Sequence, residues 1–244
     1  MRHQLTEKLK TLRLSGLLDT LDLRLRQAQD ETLGYMEFLE LLVGDEVERR
    51  EAKKLKLRLA KASFEEEKTL EGFDFSFNPN VPSRKVRDLA ACQFLNRQEN
   101  VIICGLPGVG KSHLAQAIGH QACRMGHSVL FVKAVALFRK LAAARANQTW
   151  DERIREYVRA DLLIIDDFGL KPLTTAQADD LGEIVSERYL KGGMLLTSNR
   201  RVDEWLGLFP DPVFGNSILD RLAHNAHQLV IEGDSYRRTK KPEA

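Results

Sequence analysis

The sequence predicts an α/β fold, with a five-stranded parallel sheet flanked by helices and preceded by a small all-helical domain. Up to about Glu71, leucines recur at three- and four-residue spacing and no proline interrupts them. Beyond Pro82, short runs of valine, isoleucine and leucine alternate with helical segments. Between these two patterns, residues 73–82 hold two prolines and three phenylalanines. We therefore expect a helical domain over residues 1–72 and a sheet domain over residues 73–244.

The helical part is predicted to contain three helices. Ser15-Gly16 is expected to separate the first from the second, and the third is expected from Tyr35 to about Phe64. The sheet part follows with alternating elements. Its predicted strands are 101–104, 128–132, 162–165, 194–197 and 228–231, and its main predicted helices are 112–124, segments within 136–157, and 174–189.

Composition narrows the function class. The 244 residues are 43% hydrophobic, but no apolar run approaches the length of a membrane span, and the first residues lack the apolar core of a signal peptide. We expect a cytoplasmic protein with no membrane partner. The three cysteines show no C-x-x-C spacing, which favours free thiols in a reducing compartment. A formal charge of +2 is too small to indicate nucleic-acid binding without local clustering.

A phosphate-binding loop is the most specific motif. Gly105 to Ser112 reads G-x-x-x-x-G-K-S, directly after the first predicted strand and at the start of a predicted helix. Its glycines allow the backbone to wrap phosphates, Lys111 supplies a mobile charge, and the Ser112 hydroxyl is a Mg²⁺ ligand. The pattern predicts binding of ATP with Mg²⁺. The candidate nucleotide contacts are Gly105, Pro107, Gly108, Val109, Gly110, Lys111, Ser112 and, on the helix, His113, for which packing is the alternative.

Two carboxylates follow the third predicted strand, at the sheet edge where ligands collect in α/β folds. Asp166 is predicted to hold Mg²⁺ through its water shell, and Asp167 to orient or deprotonate an attacking water. This arrangement resembles the Walker B element of nucleotide hydrolases. A structural alternative is that the two aspartates cap the turn before Phe168-Gly169.

Two weaker elements lie further along the chain. Asn199 ends the fourth predicted strand and resembles the sensor-one residue of the additional-strand ATPases, whose fourth strand lies between the first and the third. Arg221 precedes the last strand, and similarity to the same superfamily implies an arginine finger that acts on a neighbouring subunit's nucleotide. An ion pair with Asp220 is the alternative for Arg221.

Together these segments resemble the IstB family, the helper ATPases of bacterial insertion-sequence transposition. IstB proteins are similar to the helicase loaders DnaC and DnaI, in the initiator branch of the AAA+ ATPases. The family implies ATP-driven self-assembly into a homo-oligomer on duplex DNA, capture of target DNA for a partner transposase, and stimulation of that transposase. The segments that carry the resemblance are 15–17, 73–75, 105–112, 162–169, 222–227 and 231–237.

The chain departs from the broader AAA+ pattern in two places. Asp167 stands where those enzymes usually have glutamate, and its shorter side chain implies slow hydrolysis. Only residues 232–244 follow Ile231, too few for the helical lid that usually covers the adenine. Without a lid, Arg237 is a candidate phosphate contact, and membership in a basic tail is the alternative.

Candidate DNA contacts come from two places. Initiator-type ATPases insert an extra helix between the second and third strands, and this interval offers Lys133, Arg139, Lys140 and Arg145. The run from Glu48 to Lys61 holds seven basic and two acidic residues, and from it we select Arg49, Arg50, Lys53 and Lys54. Solvated helical faces explain the same charges equally simply.

Two alternative functions remain open from the sequence. A replicative helicase loader of the DnaC and DnaI type would use the same fold. A small-molecule P-loop kinase is a different class, but we find no acceptor-binding insert, and such a kinase would leave Asn199 and Arg221 without a purpose.

Overall fold

The computed structural model describes residues 2–236, which fall into two compact units that meet in sequence between Leu57 and Arg58. Residues 58–72 thus group with the sheet, whereas the expected boundary at residue 72 rested on where helical periodicity ends. Phe64 shows why these residues belong with the sheet. Its ring contacts the Phe131 ring at 6.1 Å between centroids, and a Cβ on Gly119 would lie 2.9 Å from it.

The first unit is helical, as expected. Helix α1 spans Arg2–Thr11, α2 spans Ser15–Asp30 and α3 spans Tyr35–Ala62, of which residues 58–62 group with the second unit. Residues 12–14 form a turn between α1 and α2. Ser15-Gly16 therefore begins α2 instead of separating it from α1. Gly16 is needed for close approach, because a Cβ there would lie 2.7 Å from the Cα of Glu46. The Glu46 carboxylate accepts a 2.6 Å hydrogen bond from the Gly16 N–H.

The second unit contains a five-stranded parallel sheet in the order β2-β3-β4-β1-β5. Both the strand number and the position of β4 between β1 and β3 confirm the prediction. Strands β1, β3 and β4 are buried almost throughout, which explains their continuous apolar runs. The strands are β1 (Asn100–Gly105), β2 (Val129–Lys133), β3 (Leu162–Phe168), β4 (Gly193–Ser198) and β5 (Ala226–Ile231).

Helices cover the sheet and connect its strands. Two of them, α7 and α8, lie in sequence between β2 and β3, where the family resemblance implied an extra helix. The described chain ends at Tyr236, and no helical lid follows β5 within it. The helices of this unit are α4 (Ser83–Ala90), α5 (Gln93–Asn96), α6 (Lys111–Arg124), α7 (Ala134–Ala146), α8 (Trp150–Arg159), α9 (Thr175–Arg188) and α10 (Pro212–Ala223), with a 3₁₀ helix over Val202–Leu208.

The core of this unit lies between the sheet and the helices α7 to α10. Trp205 is fully buried and meets the Phe168 ring edge to face, at 4.8 Å between centroids. Arg188 is also buried, and its guanidinium donates to backbone carbonyls that include those of Ala160 and Gly193. In residues 2–236 no helix is both long enough and apolar enough to cross a bilayer.

Candidate active site

A cleft of about 660 Å³ opens at the carboxyl ends of the strands, within the roughly 300–1,000 Å³ typical of small-molecule sites. The phosphate loop, the ends of β2 and β3, Asn199 after β4, and the segment between α3 and α4 all contribute to its wall. The parallel topology explains this convergence, because every strand of such a sheet delivers its carboxyl end to the same edge.

The phosphate loop leaves β1 at Gly105 and enters α6 at Lys111. Gly110 has φ of +99°, and a Cβ there would lie 2.8 Å from the Phe73 ring, so this position requires glycine on both counts. The first N–H groups of the 14-residue helix α6 point into the loop, where an anion is favoured. Of the predicted contacts, those from Pro107 to His113 line the cleft, whereas Gly105 is the last residue of β1.

Lys111 and Asn199 are in direct contact. The buried Lys111 Nζ donates to Asn199 Oδ1 at 2.7 Å and to the Leu106 carbonyl at 2.8 Å. Lys111 begins the helix that follows β1, and Asn199 directly follows β4, the neighbour of β1 in the predicted strand order. Lys111 and Asn199, which the sequence analysis selected separately, therefore lie together at the phosphate loop.

The two aspartates lie on a β-bulge. The pairing of β3 with β4 shifts register between Ile165 and Phe168, and Asp167 has φ of +55°. A left-handed conformation costs a non-glycine residue about 1–3 kcal/mol, and such strain concentrates at functional sites. Both carboxylates line the cleft.

Thr197 on β4 holds this bulge in place, and sequence reasoning missed it. Its hydroxyl donates to Asp166 Oδ1 at 2.5 Å and accepts from the Asp167 N–H at 2.9 Å. Thr197 is fully buried, and its hydrogen bond to Asp166 is buried, while the one from the Asp167 N–H is partly buried.

Asp166 and Ser112 are suited to a hard divalent cation. Burial raises the pKa of Asp166, while hydrogen bonds from Thr197 and Ser112 oppose the rise. A carboxylate and a hydroxyl in contact are oxygen donors of the kind Mg²⁺ prefers. Residues 2–236 contain no cluster of three or more His, Cys, Asp or Glu that could hold a metal ion, so phosphate and water oxygens would have to complete the coordination.

Aromatic residues line the mouth of the cleft. Phe73 meets the His113 ring edge to face at 5.1 Å, and Phe77 meets Tyr236 in the same manner at 4.8 Å. His113 Nε2 also lies 3.1 Å from the Thr69 carbonyl, and burial lowers its pKa. The segment after α3 thus packs on the sheet unit and also lines the cleft.

Of the residues suggested for DNA contact near β2, two have other partners. Lys133 is the last residue of β2, lines the cleft and pairs with Glu65 at 2.7 Å. Arg145 pairs with the buried Asp180 and stacks over the Trp150 ring at 4.7 Å. Arg139 and Lys140 are exposed on α7.

The basic residues suggested on α3 are exposed. Arg49 lies 3.3 Å from the Asp19 carboxylate, and Lys54 pairs with Glu51 at 2.7 Å. Arg50 pairs with Glu46 at 2.6 Å, and Lys53 lies beside these residues on the same helix. The structure leaves DNA contact at these positions a prediction.

Arg221 does not line the cleft of its own chain. It lies on α10 near Asn100 and Met194. These two residues are at the amino ends of β1 and β4, whereas the cleft is at the carboxyl ends. Its guanidinium donates to Ser217 Oγ at 2.7 Å. Any action of Arg221 on a nucleotide would therefore have to be in a neighbouring molecule. Arg237 lies outside the described residues.

The fold and site define a class. A phosphate loop after β1, carboxylates after β3, and β4 inserted between them with an asparagine at its end are the features of a P-loop nucleotide-binding protein of the additional-strand type. Residues 7–244 match the family model described as IstB-like ATP binding protein, and the chain belongs to this family.

Relatives and solved structures agree with this assignment. A Mycobacterium tuberculosis protein named as an ATP-binding protein in an insertion sequence is 47% identical over 239 residues, covering 98% of this chain and 95% of that protein. A Pseudomonas aeruginosa protein named for ATP binding in insertion sequence IS21 is 37% identical over 242 residues, covering 99% and 91%.

The fold is shared with replication proteins. The crystal structure of DnaI superposes with a TM-score of 0.59 at 23% identity, covering 68% of this chain and 91% of that one. The replication initiator DnaA, bound to AMPPCP and single-stranded DNA, gives 0.59 at 22% identity, covering 70% and 52%. These similarities confirm the AAA+ fold that the sequence predicted.

Proposed function

We propose that this protein is an ATP-dependent helper of insertion-sequence transposition. It assembles on duplex target DNA when ATP is bound, hydrolyses ATP slowly at subunit interfaces, and delivers the DNA to a partner transposase that it stimulates. Family membership supports ATP binding and the link to an insertion sequence. The observation that carries the chemistry is the contact of Lys111 with Asn199 in the cleft that Asp166 and Asp167 also line.

The cleft residues divide the work of hydrolysis. The N–H groups of the loop and Lys111 hold the β- and γ-phosphates, and Ser112 and Asp166 would hold Mg²⁺. Bound Mg²⁺ neutralises negative charge on the phosphates. Asn199 orients the water that attacks the γ-phosphorus, the bond to the bridging oxygen of ADP breaks, and Asp167 takes the proton from the water. The short side chain of Asp167 accounts for slow turnover.

Arg221 supports a reaction that depends on assembly. Because it lies away from its own cleft, we assign it to the nucleotide of the adjacent protomer, where a guanidinium stabilises charge in the transition state. Isolated subunits would then bind ATP and hydrolyse it poorly.

The first test is assembly. Light scattering of the full chain should show a large assembly only with ATP and long duplex DNA together, and a small species with ADP. A protein that stays monomeric with ATP and duplex would refute the proposal. Preference for single strands or for a replicative helicase would favour a loader instead, a function for which the similarity to DnaI shows the fold alone.

The second test is complementation between subunits. Arg221→Ala should retain nucleotide binding and lose about 10³-fold in turnover, as arginine fingers do. Asp167→Asn should also be inactive. A mixture of the two variants should recover activity, because an intact Asp167 in one subunit meets an intact Arg221 from the next. If the mixture stays as inactive as its components, the shared site is refuted.

A further inference from the structure

Lys133 lies at the carboxyl end of β2, beside the two catalytic carboxylates. It is the register partner of Asp166 across the β2–β3 pair, and it lines the cleft with Asp166 and Asp167. Its ammonium pairs with Glu65 at 2.7 Å. Lys133 therefore lies near the carboxylates of Asp166, Asp167 and Glu65, and its ion pair is with Glu65.

Glu65 is fixed by its backbone. The N–H groups of Glu65 and Glu66 both donate to Gln116 Oε1, at 3.1 and 3.2 Å. Gln116 is buried on α6 one turn after Ser112, whose carbonyl accepts from its Nε2 at 3.4 Å. Helix α6, which follows the phosphate loop, thus fixes the position of Glu65 at the rim of the cleft through Gln116.

The charges explain why the pairing matters. The hydrogen bond with Glu65 is the largest cause of the raised pKa of Lys133, and the fields of Asp166 and Asp167 add to it. If Glu65 lost its charge, the ammonium would be drawn to the remaining carboxylates. Asp166 is buried and bonded to Thr197, so the more exposed Asp167 would receive it.

We propose that Glu65 is a positioning residue for hydrolysis, which holds Lys133 away from Asp167 so that the Asp167 carboxylate stays available to the attacking water. This inference rests on the proposed ATPase function. It also gives Lys133 a role inside the cleft in place of the DNA contact suggested by the sequence.

The test is steady-state ATP hydrolysis by the full chain, with ATP and duplex DNA present, for four variants beside the wild type. Glu65→Gln should lower kcat about five-fold, equivalent to the about 1 kcal/mol of an exposed ion pair, with KM for ATP unchanged. Adding Lys133→Met to Glu65→Gln should restore kcat to that of Lys133→Met alone, because no ammonium remains to occupy Asp167.

The matched control is Glu71→Gln. Glu71 lies in the same segment and pairs with Arg124 of α6 at 2.9 Å, outside the cleft lining. It should hydrolyse ATP like the wild type, and thermal melts should show all variants folded.

The outcomes separate the two proposals. The inference is overturned if Glu65→Gln matches the wild type, if its loss lies in KM, or if the double variant stays as slow as Glu65→Gln. A folded wild type that binds but never hydrolyses ATP would overturn the proposed function, and this inference with it.

Discussion

Thr197→Val should destabilise the sheet unit and distort the bulge that carries Asp166 and Asp167. Valine has nearly the shape of threonine but cannot donate to Asp166 or accept from the Asp167 N–H. The substitution therefore removes one buried and one partly buried hydrogen bond without opening a cavity, and the strained Asp167 backbone loses its contact with β4.

The magnitude follows from these two bonds. A hydrogen bond to a carboxylate contributes about 1.5–3 kcal/mol, and a buried N–H left unsatisfied costs about 1–3 kcal/mol. We take about 3 kcal/mol in total, since the added methyl group of valine is buried and offsets part of the loss. For a unit of this size, about 3 kcal/mol corresponds to a decrease in Tm of roughly 6–12 °C.

Tryptophan fluorescence provides a selective assay. The chain has two tryptophans, Trp150 and Trp205, and both belong to the sheet unit, so their emission reports its unfolding and not that of the helical unit. Thr197→Ser is the matched control: it keeps the hydroxyl and loses one methyl, which costs up to about 1 kcal/mol. The reasoning is refuted if Thr197→Val melts within about 2 °C of the wild type, or if serine is the more harmful of the two substitutions.

Two other predictions concern stability. Arg188→Met should destabilise the sheet unit by about 3 kcal/mol or more, measured by urea unfolding with the same fluorescence, because its guanidinium satisfies several buried carbonyls, including those of Tyr157 and Gly193; an unchanged urea midpoint would contradict this. In the helical unit, hydrogen bonds from Arg24 hold the pKa of Asp45 at about 2, below its ordinary 3.8, so their contribution is present above pH 3.8 and is lost as pH falls towards 2. Solvent screening limits it to about 1 kcal/mol. Circular dichroism melts across this pH range should show a decrease in Tm for the wild type that Asp45→Asn lacks. If Tm falls equally steeply with pH in the two proteins, the ion pair is excluded as the cause.

Strands β1, β3 and β4 could be predicted from the sequence because their burial on both faces requires continuous apolar runs. The short helices α4 and α5 were not predicted. Helix α4 begins after Pro82 without a side-chain cap, and its apolar face consists of one i,i+3 pair, Val86 and Leu89. Helix α5 is only four residues long. Both are too short for a repeated apolar pattern, and neither has a capping signal.

The position of Lys133 in the cleft and the hydrogen bonds of Thr197 were not predicted, for different reasons. Lys133 directly follows the predicted strand 128–132, and the rule that strand ends meet at one edge would have placed it in the cleft; grouping it with the cations of α7 concealed this. Thr197 had no distinguishing signal. A threonine in an apolar strand fits β-propensity equally well, and only the pairing of β3 with β4 shows what its hydroxyl does.

The sequence pointed to Asp166 and Asp167 as site residues, but it did not predict the direction of their side chains. The bulge explains why. In a regular strand consecutive side chains point to opposite faces, so Asp166 and Asp167 would diverge and only one could serve the cleft. The register shift and the left-handed backbone of Asp167 bring both carboxylates to the cleft wall, which no local pattern in the sequence encodes. That conformation is strained, and the hydrogen bond from the Asp167 N–H to Thr197 on β4 helps to hold it. The order of the strands therefore does more than collect residues at one edge: by placing β4 beside β3, it supplies the hydrogen bonds that hold Asp166 and Asp167 in place at the cleft.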